Sequence, residues 1–347
     1  MTIHIAPVGV SIITNFANIE NREFTKEPVG SDSDGQEFPW TSLIKQVKDD
    51  GLLEFGFQGK SSVQVLDAAF GPNAAADSPE RKRIQEIANN LHSGEWISYL
   101  GVSAELDTIR HAAMEISSAK RKEEFLPGKN DAVFLIATDT NKGIAAALWN
   151  AIALAGGDIK RIRYFPTLEE DTFLDKSVIG CVNIIRFPGL DAVNSDQAFR
   201  EPMKLMGRLG RLIIAPSRSM LGKKLKRLIA KDDEEIRFYL SGGYKATIPY
   251  LIALAEWVRG LDENASAWIK HEKSIKAFRL PLRRFDGSKV RHELKVFQNG
   301  SKVKYEYLDE NHLEGYAYEV KEGVAELTAF GQGMCELFGI PTESVPQ

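Results

Sequence analysis

The sequence predicts an α/β fold, a Rossmann-like, mostly parallel sheet with helices on both faces, followed by a small C-terminal α+β, winged-helix-like element. Three observations carry that prediction. Short apolar runs alternate with helix-length stretches through roughly the first 260 residues, which is the pattern of successive βαβ units. The segments after three of those runs, residues 9–15, 138–143 and 241–245, are small, polar and glycine-bearing, as expected where the carboxyl ends of strands meet a ligand. After about residue 265 the texture changes, and Asn299-Gly300 lies between two strand-like stretches, a strong hairpin signal.

Taken in order, residues 2–10 read as a buried strand broken by Pro7 and Gly9, and residues 11–19 as a helix. Residues 27–39, with GSDSDG inside them, are loop by composition. Helical spacing returns at residues 41–49, 79–91 and 104–123. Residues 131–137 form a second apolar run, and the helix at 143–155 stops at Gly156-Gly157. Strands follow at 159–165 and 176–185, helices at 197–213 and 221–230, a fifth strand at 236–240 and its helix at 246–259. Residues 288–296 and 302–308 are expected to pair about Asn299-Gly300, and residues 324–338 to form a closing helix. The hairpin and the pattern Leu327-Thr-x-x-Gly331 suggest the winged-helix-like shape. The division that results is residues 1–262 for nucleotide binding and 263–347 for a small hairpin and helix domain.

A chain of 347 residues with 43% hydrophobic and 27% charged content is long enough for a substantial core. Its net charge of −4 argues against wholesale non-specific binding of nucleic acid. The absence of a long apolar run and of a signal-peptide pattern leads to an expectation of a cytoplasmic protein without a membrane partner. Two cysteines are too few for a disulfide framework, and Cys181, inside an apolar run, is expected to be buried. The six histidines form no metal-ligand spacing, so neither a metal nor a cofactor is expected. Gly59-Lys60-Ser61 lacks the first glycine of a Walker loop, and no GxGxxG occurs.

The most telling segment is SGGYKATIPY at residues 241–250. Gly242 and Gly243 let backbone N–H groups crowd without a Cβ, the helix start beyond them presents unpaired N–H groups, and Lys245 adds a mobile cation. That combination suits an anion, here read as a nucleotide. Between Arg200 and Lys231 there are ten Lys or Arg residues and a single acid, Glu201, a field that draws a polyanion or else a solvated helix face.

APVGVSIITN at residues 6–15, ATDTNKG at 137–143 and SGGYKATIPY at 241–250 together resemble three motifs of the CARF (CRISPR-associated Rossmann fold) family, in the right order and each after an expected strand. The resemblance covers roughly residues 1–260. It implies a homodimer whose two clefts merge about a two-fold axis to hold a ring of 3′–5′-linked adenylates, most readily the tetra-adenylate. A symmetric ring suits an isologous dimer.

Some family members also open the ring without metal, by attack of a ribose 2′-hydroxyl on the adjacent phosphate. By the resemblance, Lys245 stabilises the phosphorane or protonates the leaving oxygen, and Ser11 and the amides around Gly9 orient the attacked phosphate. Thr14 and Asn15 hold the ribose or an adenine edge. Val10, Thr138, Asp139, Thr140, Gly143, Ser241, Gly242, Gly243 and Tyr244 line the cleft. The residues themselves also allow plainer roles: Ser11 or Asp139 as a helix cap, and Lys245 as a binding cation only. Val10 stands where the family often carries threonine, which removes one hydroxyl near the scissile phosphate. Arg161 and Arg163 are candidates to reach the cleft from the third strand. No Arg and His pair has the HEPN ribonuclease spacing, so a ring nuclease is expected, with a non-catalytic sensor as the alternative. Residues 281–347 carry eight Lys or Arg against eleven Asp or Glu, which disfavours a ligand-gated DNA-binding regulator.

Overall fold

A computed structural model of the chain describes residues 1–17, 56–90, 103–116, 127–169, 172, 174, 176–190, 199–214, 235–243, 245–261, 264–271, 274 and 276–342. The helices expected at 41–49 and 221–230, the loop at 27–39, and Tyr244 lie outside the described residues.

Among the described residues seven strands make the main sheet: β1 (Thr2–Pro7), β2 (Ala132–Thr138), β3 (Ile162–Phe165), β4 (Val182–Phe187), β5 (Glu235–Tyr239), β6 (Ala265–Ile269) and β7 (Phe278–Leu280). Their order is β3-β4-β2-β1-β5-β6-β7. Every pairing is parallel except β6 with β7. β2 is buried along its whole length, as a strand covered on both faces must be. From β1 the chain moves to β2 on one side, whereas from β5 it moves to β6 on the other. The loops leaving β1 and β5 therefore diverge between adjacent strands, and that switch point is where open α/β sheets form their ligand crevice.

The helices divide between the faces. α1 (Ser11–Ala17), α2 (Ser62–Phe70), α3 (Pro79–Asn90), α4 (Ala104–Ile116) and α5 (Asn141–Leu154) supply one apolar layer, against Val133, Leu135 and Ala137 of β2. α6 (Arg200–Ile214) and α7 (Ile248–Gly260) supply the other, against Phe134 and Ile136. α2 was not expected from apolar spacing. A capping box starts it: Gln64 N–H donates to Ser61 Oγ at 3.4 Å and Ser61 N–H to Gln64 Oε1 at 2.9 Å.

The C-terminal part departs from the expected hairpin. Residues 288–296 are helical instead, within α8 (Gly287–Leu294) and a 3₁₀ turn at Lys295–Phe297. Asp286 caps α8 through Ser288 N–H and Lys289 N–H, and Val290, Glu293, Leu294 and Phe297 bury one side at helical spacing. Asn299 takes a φ of 86° in the turn to β8 (Lys302–Lys304), so its left-handed preference serves a helix-to-strand connection. The true hairpin joins β9 (Tyr318–Lys321) to β10 (Val324–Leu327) through Glu322 and Gly323, both at positive φ. β8, β10 and β9 form a separate three-stranded antiparallel sheet. The last helix, α9 (Ala329–Phe338), begins after β10, capped by Thr328, whose Oγ1 accepts from Gly331 N–H at 3.1 Å. α9 crosses α6 so closely that a Cβ on Gly207 would overlap the Gly333 carbonyl.

Candidate functional site

The loops leaving β1 and β5 touch at the carboxyl end of the sheet. A Cβ on Gly9 would stand 2.8 Å from Gly243 N, and one on Gly243, whose φ is 86°, would stand 2.6 Å from Pro7 Cβ. Both positions thus need glycine, Gly243 for conformation as well as space. The reason for Gly242 is different: a Cβ there would overlap the Glu105 carboxylate.

Glu105, not singled out in the sequence, is the centre of this arrangement. It is the second residue of α4 and is 1% exposed. Gly9 N–H donates to its Oε1 at 2.6 Å and Gly243 N–H to the same oxygen at 3.2 Å. Ser103 Oγ lies 2.7 Å from Oε2, with one proton to share between that oxygen and Asn150 Oδ1, and Ser11 Oγ lies 3.4 Å from Oε2. Ser103 Oγ also caps α4 by accepting from Leu106 N–H at 3.2 Å, and it lies 2.6 Å from Oδ1 of the buried Asn150. The Gly9 and Gly243 loops thus turn their N–H groups toward one carboxyl oxygen, and that oxygen belongs to the protein. Among the described residues no cationic side chain pairs with Glu105.

The expected residues distribute around this centre in distinct ways. Ser11 heads α1 with its hydroxyl against Glu105, and it accepts from Ala104 N–H at 3.4 Å. Val10 is 43% exposed, so the position that lacks a hydroxyl does face solvent. Thr14 is exposed and donates to the Val10 carbonyl at 3.1 Å, a local helical bond. Asn15 lies on α1, and its side chain is outside what the structure describes. Ser241 Oγ accepts from Lys270 N–H at 2.6 Å and so ties the β5 loop to the end of β6. Lys245 is exposed at the start of the 3₁₀ turn Lys245–Thr247, which leads into α7.

At the end of β2 the helix cap is Thr140, not Asp139. Thr140 Oγ1 accepts from Gly143 N–H at 3.1 Å and lies 2.9 Å from Thr138 Oγ1, whereas Asp139 is exposed. A Cβ on Gly143 would overlap that Thr138 hydroxyl, which accounts for the glycine. Arg161 and Arg163 do not reach this end of the sheet. They donate to the carbonyls of Gly180 and Ser177, just before β4 begins, and so lie toward the opposite end. Cys181 is half-buried rather than buried, with its thiol 3.3 Å from the Ser177 carbonyl.

Behind the loops, Lys270 Nζ bonds Asp107 Oδ2 at 2.6 Å, and Arg110 and His111 share that carboxylate. This cluster fixes α4 against the end of β6, and with it the backbone that carries Glu105. Among the described residues no His, Cys, Asp and Glu group forms a metal cluster, and no helix is long and apolar enough to cross a membrane. No protein-family model matches the chain, and no curated protein does either.

Proposed function

We propose that this chain, as a CARF-type homodimer, binds a cyclic oligoadenylate, most readily the tetra-adenylate, at the carboxyl ends of β1 and β5. We further propose that it opens the ring without metal. One observation carries the reading: Gly9 N–H and Gly243 N–H converge on a single carboxylate oxygen at 2.6 and 3.2 Å, at the switch point of the sheet, with Lys245 exposed two residues after Gly243 in the chain. Loops that hold one oxyanion in this manner are suited to phosphate oxygens.

In the reaction a ribose 2′-oxygen bonds to the neighbouring phosphorus and the bond to the 5′-oxygen breaks. The products are a 2′,3′-cyclic phosphate and a free 5′-hydroxyl. The 2′-hydroxyl proton leaves to solvent, and the 5′-oxygen takes a proton from Lys245 or water. Lys245 supports the charge that builds on the phosphoryl oxygens, and Ser11 and the backbone around it hold the phosphate in line. Thr14 offers an exposed hydroxyl for a ribose or an adenine edge.

Incubation of labelled cyclic tetra-adenylate with excess protein in EDTA tests the proposal, and linear product ending in a cyclic phosphate is expected. Lys245→Ala should abolish cleavage and weaken binding by about tenfold or less. A ring that binds but stays intact for many hours would favour the sensor reading. Two features of the site lean that way, the exposed Val10 in place of a hydroxyl residue and the engagement of both glycine amides by Glu105.

A further inference from the structure

We propose that the cradle beneath the Gly9 and Gly243 loops is a phosphate-oxygen site filled by the protein's own Glu105 carboxylate, which a phosphodiester displaces on binding. The inference deepens the proposed function and rests on its placement of the ligand at this end of the sheet.

The donor set is that of an anion site. It consists of two backbone N–H groups on separate loops, a serine hydroxyl on the cap of α4 and another at the head of α1. All are neutral, and all point at one small volume, the arrangement by which backbone concavities hold phosphate. A carboxylate used only as a structural tie is more often matched by a cation. Glu80 and Glu256, both buried, follow that rule, with Lys60 and Arg283 as partners. Glu293 is also buried without a cation in contact, but it takes one N–H, from Leu313, and one tyrosine hydroxyl. Glu105 instead collects its donors from both sides of the sheet's switch point.

Exchange is mechanically feasible. Glu105 stands in the first turn of α4, and rotation about its side-chain bonds withdraws the carboxylate while the helix and its Ser103 cap stay in place. It also has an electrostatic drive, because a phosphodiester arriving beside a buried carboxylate meets a like charge in a poorly screened setting. Ser11 couples the exchange to the chemistry. Its hydroxyl rests against Glu105 Oε2 at 3.4 Å, and departure of the carboxylate frees it for the phosphate.

Glu105→Gln separates charge from packing. The Gln carbonyl oxygen can accept from both glycine N–H groups, and its NH₂ can donate to the oxygens of Ser103 and Ser11, so the variant keeps the hydrogen-bonded frame. With selective ¹⁵N-glycine labelling, the Gly9 and Gly243 amide signals are followed as inorganic phosphate is added. The expected result is saturable movement of both signals in Glu105→Gln and Glu105→Ala, at phosphate concentrations about tenfold lower than wild type requires. Variants with native spectra whose two amides respond no more than wild type would overturn the exchange and leave Glu105 a fixed tie. In parallel, Glu105→Gln should bind cyclic tetra-adenylate about tenfold tighter than wild type, and equal or weaker binding also counts against exchange. If the tetra-adenylate binds none of these proteins while phosphate moves both amides, the exchange stands and the nucleotide reading fails.

Discussion

Glu105 and Gly242 illustrate what a single residue does here and why it was hard to see. A glutamate in the first turn of a helical pattern usually belongs to a solvated face, and nothing next to it in the sequence says otherwise. Its burial follows from loops 96 and 138 residues away that the sheet brings together. The glycines were legible as a turn that exposes backbone N–H groups, whereas the acceptor that Gly9 and Gly243 meet, a side chain on α4, was not. Because a Cβ on Gly242 would overlap the Glu105 side chain, Gly242→Ala should destabilise the protein by about 1–3 kcal/mol. Glu105→Ala in the same chain should recover part of that loss, a non-additivity that a double-mutant cycle by urea denaturation measures. Strict additivity would mean that the two residues do not meet.

A second residue sets a pH dependence. His4 is 5% exposed on β1, with Nδ1 2.7 Å from the Tyr239 hydroxyl and Nε2 3.7 Å from Asp131 Oδ2. Burial pushes the imidazole below its ordinary 6.5 against the pull of Asp131, so His4 is neutral at pH 7 and its contact with Asp131 is not an ion pair there. Below pH 6.5 the unfolded chain takes up a proton that the folded chain resists. Stability should therefore fall as pH drops from 6.5, by up to about 1.4 kcal/mol per unit from this group. His4→Gln should flatten that slope in urea midpoints measured between pH 7 and about 5.

At the scale of elements, periodicity located most of the strands and helices of the main sheet because strands such as β2 and β4 are apolar runs and helices such as α6 bury one side, while α5, buried on nearly every side, shows as an Ala-rich run. It failed where local signals were ambiguous. Asn299-Gly300 promised a hairpin, but the apolar spacing upstream was helical, and burial of Val290, Leu294 and Phe297 decided the outcome. The short strands β6, β7, β9 and β10 owe their state to partners in the sheets rather than to any pattern long enough to read alone. The crossing of α6 with α9 shows the same dependence on tertiary context. Gly207 and Gly210 look like weak points in a helix, yet a Cβ on the first would overlap the Gly333 carbonyl, and one on the second would stand 2.9 Å from side-chain carbons of Leu254 and Leu337. Backbone on the receiving side cannot yield cheaply, so Gly207→Ala should cost about 3 kcal/mol despite the gain in helix propensity. Differential scanning calorimetry checks it, and an unchanged Tm would show that the helices separate freely.

For the whole molecule, the question is how far the part after residue 262 stands alone. The main sheet does not stop there, since β6 and β7 continue it. The C-terminal elements also share one apolar cluster with the sheet face: Leu294, Phe297, Tyr318, Leu327 and Met334 belong to the same core as Phe134, Met206, Leu254 and Trp257. Polar ties cross the same boundary. Trp257 Nε1–H donates to the Tyr316 hydroxyl at 2.9 Å, Arg283 grips Glu256 through Nε at 3.0 Å and NH2 at 2.8 Å, and Arg208 reaches Glu336 at 3.2 Å. Ending the chain at residue 280 would uncover the apolar sides of α6 and α7 and leave the buried Glu256 without its cation, losses well beyond the margin of stability of an ordinary domain. The truncated protein should lack near-ultraviolet circular dichroism and unfold without cooperativity, whereas the full chain unfolds with the sheet and the C-terminal elements in a single transition. A soluble 1–280 fragment with native ellipticity and a sharp urea transition would instead make the C-terminal part a separable accessory, and the site at the ends of β1 and β5 would then be a property of the sheet alone.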